Sequence, residues 1–319
     1  MSEDAFGGIG ENPLSRAMAW AYGVGQRTHT AYRERHQETV DVPVISIGNV
    51  VVGGTGKTPL TAAIARRLCQ NGTVAILSRG YGGKERGPVR VLEDSDPVVA
   101  GDEPVELAQA VPSADVWVAR NRVLGAREAA TEGAEFIILD DGFSYRGLAR
   151  DVDLLVFDER GVGNGLLLPA GPLRESAEAI QRADAVLLRG KAEPPPGWTG
   201  PVFRFDVRRA RFVSLWGEPV KKPGEAIAAA GIAWPGRFFA GLREQRIRLQ
   251  GAYGLPDHAA WRLNAIRDLE KNAAGKPIII TAKDAVKVRR HYPEGNWVVA
   301  QVTAEVERSF WPWLWERIR

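Results

Sequence analysis

The plainest chemistry in this chain lies in six consecutive residues, Gly53-Gly54-Thr55-Gly56-Lys57-Thr58. They follow a β-branched run, Val44-Ile45-Ser46-Ile47, that reads as a buried strand. After them come Pro59, suited to the first turn of a helix, and an apolar stretch of helical period, Leu60, Ile64 and Leu68. Strand, glycine turn, Lys-Thr and helix in that order is the setting of a phosphate loop. There Gly53, Gly54, Thr55 and Gly56 turn backbone N–H groups toward phosphate oxygens, and the helix N-terminus adds positive potential. Lys57 reaches the β- and γ-phosphates and the Thr58 hydroxyl holds Mg²⁺. The strict pattern asks for glycine at position 51, where this chain has Val51, so the loop is a variant. The alternative is an ordinary glycine-rich turn that binds nothing.

Other residues could complete such a site. Phe136–Leu139 is an apolar run ending in Asp140-Asp141. Paired carboxylates at the C-terminal end of a buried strand are where a P-loop protein holds Mg²⁺; otherwise they only cap the next segment. Arg79, at the end of a short strand 74–77, could meet phosphate or an acidic head group, or be a surface arginine in a flexible loop. Asn121 and Arg122 open a helix and are candidate substrate contacts. Asp102, in Gly101-Asp102-Glu103-Pro104, is by default the N-cap of a helix to about Ala110. A lone histidine such as His258, placed at the start of a helix 258–271, is by itself a cap or a surface residue.

The elements that must position these groups alternate strand and helix. Further strands are expected at 89–92, 116–118, 153–157, 185–188, 226–230, 247–249, 277–281 and 297–302, with helices at 236–244 and 282–290. Residues 202–207 and 212–216 alternate like two paired strands, a ribbon leading into a second domain. The fold class is therefore α/β, a mostly parallel sheet with helices on both faces plus a smaller α/β domain. At 319 residues the length suits about two domains. The balance of 42 basic against 39 acidic residues gives only +3, too little to argue for nucleic acid. The single cysteine, Cys69, excludes an internal disulfide and reads as filler on the apolar side of the first helix after the loop. No signal peptide and no run of 18 apolar residues is evident. Residues 1–12 are expected to fray. The stretch 13–36 is basic and amphipathic with aromatics, so it either packs on the domain or lies in a membrane interface, with Gly23 and Gly25 weakening the helix. The tail, with Trp311, Trp313 and Trp315, reads as a short apolar packing helix.

Taken together, several stretches resemble the tetraacyldisaccharide 4'-kinases, which phosphorylate a lipid A precursor. They are PLSRAMAWAYG, IGNVVVGGTGKTP, LSRGYGG, GDEP, ARNR, ILDDGF, LARD, GNGLLLPAGPLRE, GIAWPGRFF, LPDH and TAKDAVK, in that order over almost the whole chain. The resemblance implies a membrane-associated helix and P-loop kinase domain over 1–207 and a smaller α/β domain over 208–305. A two-stranded linker would join them, the tail 306–319 packing back on the first. It implies transfer of the γ-phosphate of ATP·Mg²⁺ to the 4'-hydroxyl of an acylated glucosamine disaccharide 1-phosphate. The enzyme would sit on the cytoplasmic face of the bacterial inner membrane, without nucleic acid or an obligate protein partner. Lys57 and Thr58 match the ATP and Mg²⁺ ligands, with Lys57 also catalytic, and Asp140 and Asp141 match the acidic motif. Asp102 and His258 match the proposed base and its partner, with Asp257 placed to orient the histidine. The chain departs from the family pattern at Ser144, commonly glutamine, at Ala259-Ala260-Trp261 after the histidine, and in TAKD for TEKD. The alternatives are a P-loop kinase of another lipid or sugar hydroxyl, or a nucleotide-switched ATPase or GTPase at the membrane. A GTPase would usually carry Asn-Lys-x-Asp, and the nearest tetrapeptide, Thr281-Ala282-Lys283-Asp284, has the wrong first residue.

Overall fold

A computed structural model describes residues 12–208 and 210–318. The expected fraying of 1–12 thus falls, but for Asn12, outside the described residues. The strands of the larger sheet are β1 (Val44–Gly48), β2 (Val74–Ser78), β3 (Val89–Val91), β4 (Asp115–Val118), β5 (Phe136–Asp140), β6 (Val152–Phe157), β7 (Ala185–Arg189) and β8 (Val202–Val207). The smaller sheet holds β9 (Arg211–Ser214), β10 (Glu225–Ala230), β11 (Arg248–Gly254), β12 (Ile278–Thr281) and β13 (Trp297–Gln301), before β14 (Ala304–Val306) returns to the first. The helices are α1 (Pro13–Arg35), α2 (Lys57–Leu68), α3 (Pro97–Ala100), α4 (Asp102–Ala110), α5 (Arg122–Thr131), α6 (Pro235–Glu244), α7 (Leu263–Ala273), α8 (Ala282–Val288) and α9 (Phe310–Trp315).

In the larger sheet the order is β14-β8-β7-β6-β1-β5-β2-β4-β3, parallel except at its two edges. Strand β1 is buried at every position, as a β-branched run between two parallel neighbours must be. Because β1 lies between β5 and β6, the loops leaving all three meet at one end of the sheet, the usual place for a ligand in an open α/β sheet. The approach there is close. A Cβ on Gly48 would stand 2.5 Å from the Phe143 Cβ and 2.8 Å from its backbone nitrogen, so only glycine lets the Asp140–Phe143 turn pack against the start of the phosphate loop. Helix α2 then buries Leu60, Ile64, Ala65 and Leu68 against the sheet. Cys69 sits half-buried at its end, packed against the same core, as its place on the apolar side implies.

The smaller sheet runs β11-β10-β12-β13-β9, with only the β13–β9 pair antiparallel. Three expectations change here. Residues 202–207 and 212–216 do not pair with each other: β8 runs parallel to β7 in one sheet, and β9 pairs with β13 in the other. The chain leaves the larger sheet after Val207 and the smaller one after Gln301, and Arg208 N donates to Thr303 O at 2.7 Å just beyond these two ends. Helix α7 starts at Leu263 rather than at His258, because His258 (φ 57°) and Trp261 (φ 48°) are in the left-handed region, which no helix accommodates. Strand β11 extends to Gly254, beyond the expected 247–249, as a largely exposed edge.

Helix α1 is continuous through Gly23 and Gly25. Gly23, buried with Ala19, is where it comes closest to Leu167: a Cβ there would lie 2.7 Å from Leu167 Cδ1. Tyr22 Oη donates to Arg174 O at 3.0 Å, and Arg146 pairs with Glu34 at 2.9 Å. Leu14, Met18, Trp20, Tyr22, Val24 and Tyr32 are all exposed. At the other end, Phe310, Leu314 and Ile318 are buried in the core of the larger sheet, where Phe203 meets Phe310 edge to face at 5.3 Å. The tail is thus a packing element, as its composition suggests.

Candidate active site

The chain leaves β1 through the buried Asn49 and turns at Gly53 and Gly56, both with φ near +90°. Gly56 is the N-cap of α2, so Lys57 and Thr58 are its first two helical residues and Pro59 the third. Asn49 braces the loop from inside. Its Nδ2 donates to Val51 O at 2.7 Å and to Thr55 Oγ1 at 3.4 Å, and its Oδ1 accepts from Lys57 Nζ at 2.9 Å. Thr55 is fully buried, so it shapes the turn while the exposed Gly53 and Gly54 offer backbone.

Asp140 and Asp141 end β5 beside this loop. Asp140 accepts from Thr61 Oγ1 at 3.1 Å. Burial, with the charges of Glu103 and Asp141, pushes its carboxyl up to about 7 against the pull of Lys57 and Thr61. Asp141 has φ 52° and takes both oxygens to Arg174, at 2.9 Å each, with Lys57 Nζ 3.4 Å away. Burial would raise it, but Lys57 and Arg174 hold it well below the usual carboxylate range. Arg174 also bonds Asn49 O at 2.7 Å and Asn49 Oδ1, which ties the 163–175 loop to the phosphate loop.

The second half of the site joins α4, which packs on the larger sheet, to α8 and the loop after β11 beside the smaller one. Asp102 is the first residue of α4 and not its N-cap, which is Gly101 at φ 96°. Its carboxylate lies 3.0 and 3.2 Å from His258 Nδ1 and accepts from Lys287 Nζ at 3.1 Å. Lys283 Nζ stands 3.0 Å from Glu103, 3.2 Å from His258 Nε2 and 3.6 Å from Asp257. Burial raises Asp102, but the His258 hydrogen bond and the charges of Lys283 and Lys287 outweigh it and hold the carboxyl far below its ordinary value. His258 moves the other way. The Asp102 hydrogen bond raises it, against burial and Lys283. Asp257 does not orient the ring through Nδ1: it accepts from the His258 backbone N–H at 3.0 Å and lies 3.9 Å from Nε2.

The candidate substrate contacts divide. Arg79 is exposed and close enough for its charge to be felt by Arg122. Asn121 caps α5, accepting from Val123 N at 3.1 Å and from Tyr145 Oη at 3.2 Å, so its oxygen is committed to structure. Arg122 is buried, donates to Ala119 O at 2.8 Å and is lowered to about 10 by burial, with Asp140 and Asp141 pulling against that.

Sequence reasoning missed Asn49, Arg174, Lys283 and Lys287 as functional residues. Asn49 carries no signal of its own type. Lys283 and Lys287 do, being one helical turn apart and so on one face of α8.

A glycine turn between the central strand of a parallel sheet and the helix that follows, with paired carboxylates on the adjacent strand, defines a P-loop nucleotide-binding protein. The sequence model of the Tetraacyldisaccharide-1-P 4'-kinase family matches residues 12–319, and the chain belongs to that family. The tetraacyldisaccharide 4'-kinase of Parvibaculum lavamentivorans is 39% identical over 292 residues, covering 86% of this chain and 81% of that one. That of Gluconacetobacter diazotrophicus is 42% identical over 264 residues, covering 77% and 76%. A crystal structure of Aquifex aeolicus LpxK in complex with ATP superposes with a TM-score of 0.80, covering 95% of this chain and 98% of that one at 29% identity.

Proposed function

We propose that this protein transfers the γ-phosphate of ATP to the 4'-hydroxyl of a tetraacylated glucosamine disaccharide 1-phosphate, a step of lipid A biosynthesis. The observation that carries the chemistry is the bond between Asp102, on the helix α4 that packs on the larger sheet, and His258, in the loop that follows β11 of the smaller one. A sugar hydroxyl attacks only as its proton leaves, and an imidazole suits that task near neutral pH. Asp102, held so far below its usual range, is a weak base. The neutral His258 that donates Nδ1–H to Asp102 has its lone pair on Nε2, which accepts from Lys283 Nζ and takes a substrate proton once that ammonium turns to its other partners, Glu103 and Asp257. The geometry therefore favours His258 as the proton acceptor and Asp102 as the residue that orients it, the reverse of the division expected from sequence. Because the two partners belong to segments packed on different sheets, the base is complete only when those segments are apposed, which limits idle ATP hydrolysis.

Thr58 and Asp140 would hold a Mg²⁺ ion, and Asp141 would join them by giving up an oxygen that Arg174 now holds. Asp140 is a buried carboxyl made costly to ionise beside a second carboxylate, a strain that a dication relieves. When bound, the ion would neutralise phosphate oxygens. The test is incubation with γ-labelled ATP and a detergent-solubilised disaccharide 1-phosphate. Label on the lipid is expected; acceptor-independent ATP hydrolysis alone would instead support the nucleotide-switch alternative.

The exposed face of α1 supports residence at the inner-membrane surface. No helix among the described residues is long and apolar enough to cross a membrane. Residues 13–36 carry four arginines against one glutamate. At about 1 kcal/mol per basic charge near an anionic surface, the net of three contributes roughly 3 kcal/mol, about two decades in partitioning. Intact protein should pellet with anionic vesicles, less so at high salt. Met18→Ser and Trp20→Ser should weaken this without changing the thermal midpoint. Equal pelleting of wild type and variants would mean that α1 serves packing alone.

A further inference from the structure

Arg189, the last residue of β7, lies flat against the phosphate loop. A Cβ on Gly56 would meet its Nη1 at 3.2 Å, its Cδ at 3.4 Å and its Cζ at 3.6 Å, so the guanidinium lies in contact range of the N-cap glycine of α2. Two neighbouring carboxylates could neutralise it, and both are taken. Asp158 accepts from Arg160 Nε at 2.9 and 3.0 Å and from Arg237 at 3.4 Å, and Glu159 accepts from Arg237 at 3.4 Å. Arg189 makes no side-chain hydrogen bond or ion pair among the described residues. Burial, and then the charge of Arg237, lowers it to about 10. The charges of Asp158 and Glu159 pull the other way, but among the described residues no anion pairs directly with this half-buried cation.

The second observation is Pro59. A helix N-terminus binds anions through N–H groups that have no intrahelical partner. Here the third helical residue, which would supply one of them, is a proline with no N–H to give. The phosphate site at the start of α2 is therefore one backbone donor short, on the helix whose N-cap Arg189 touches.

We propose that Arg189 is a nucleotide-binding residue, its guanidinium donating to the α- and β-phosphates at the N-terminus of α2 in place of the donor that Pro59 lacks. The assignment complements Lys57, which serves the β- and γ-phosphates. It rests on the ATP reading of the site but not on the identity of the acceptor.

The test is the affinity of Arg189→Ala and Arg189→Lys for ATP, ADP and adenosine, by calorimetry without acceptor, with thermal midpoints of the ligand-free proteins. A charge-assisted, forked contact predicts about 10- to 100-fold weaker binding of ATP and ADP alike to Arg189→Ala. Arg189→Lys should recover part of this, and adenosine should bind both variants as it binds wild type. The ligand-free midpoint should stay level or rise, since an uncompensated half-buried charge has been removed. Unchanged ATP affinity with a lowered midpoint would make Arg189 structural and overturn the proposal. So would a loss confined to ATP, which places the contact on the γ-phosphate, or an equal loss for adenosine, which places it on the base. Failure of the wild type to bind ATP would instead sink the ATP reading itself.

Discussion

Lys57→Ala is expected to remain folded and to lose about 10³-fold in turnover. Phosphoryl transfer depends on positioning and charge neutralisation, and removing a single preorganised donor already costs ~10²–10³ in kcat. The structural cost is small by comparison. Lys57 Nζ bonds Asn49 Oδ1 and neighbours Asp141, yet both keep Arg174 as a partner when the lysine is gone. The thermal midpoint should therefore move little. Measuring kcat and midpoint on one preparation decides the matter: near-normal turnover in folded Lys57→Ala would reduce the loop to a structural turn.

The Asp102–His258 pair should behave as one unit. Loss of a general base costs ~10²–10⁴ in rate, so His258→Ala, Asp102→Ala and the double variant should each lose a similar amount of kcat, with ATP affinity little changed. The pH profile assigns the roles. His258 must be neutral to accept a proton, so kcat rises through its pKa, which Asp102 holds above the ordinary 6.5. In Asp102→Asn that support is gone, while burial and Lys283 still push downward. The rising limb should move to lower pH and the plateau should drop. An unmoved limb, or additive losses in the double variant, would refute the coupling. A purely structural Asp102 predicts a lowered midpoint and normal kcat in the folded fraction.

The larger sheet was legible because its strands are continuous apolar runs and its chemistry lies in short contiguous stretches, as at 53–58 and 140–141. What could not be read came from two sources. Pairing partners are a tertiary property: the alternation in 202–207 and 212–216 is real, but nothing local says that each strand joins a different sheet. Backbone conformation at His258 is the other. With an apolar period beginning nearby, the histidine reads as helical, whereas left-handed turns at His258 and Trp261 delay α7 to Leu263 and aim the ring at Asp102. Arg174 was visible inside the glycine- and proline-rich stretch GNGLLLPAGPLRE. Its fork to Asp141 was not, because the two lie on separate elements brought together only by the fold.

The return of the chain from β13 to β14 has a consequence for biosynthesis. Strand β8 is covered on its outer edge only by β14, and Phe203 only gains Phe310 as a neighbour from the same late segment. On a ribosome moving at roughly 5–20 residues per second, the stretch between Val207 and Ala304 takes on the order of 5–20 s to emerge. Throughout that interval the nascent ATP-binding half exposes an unpaired strand edge and an uncovered Phe203. Both are features that invite intermolecular pairing. Nascent chains stalled after β8 should for this reason be holdase clients, whereas release past α9 lets the edge close on its own partner.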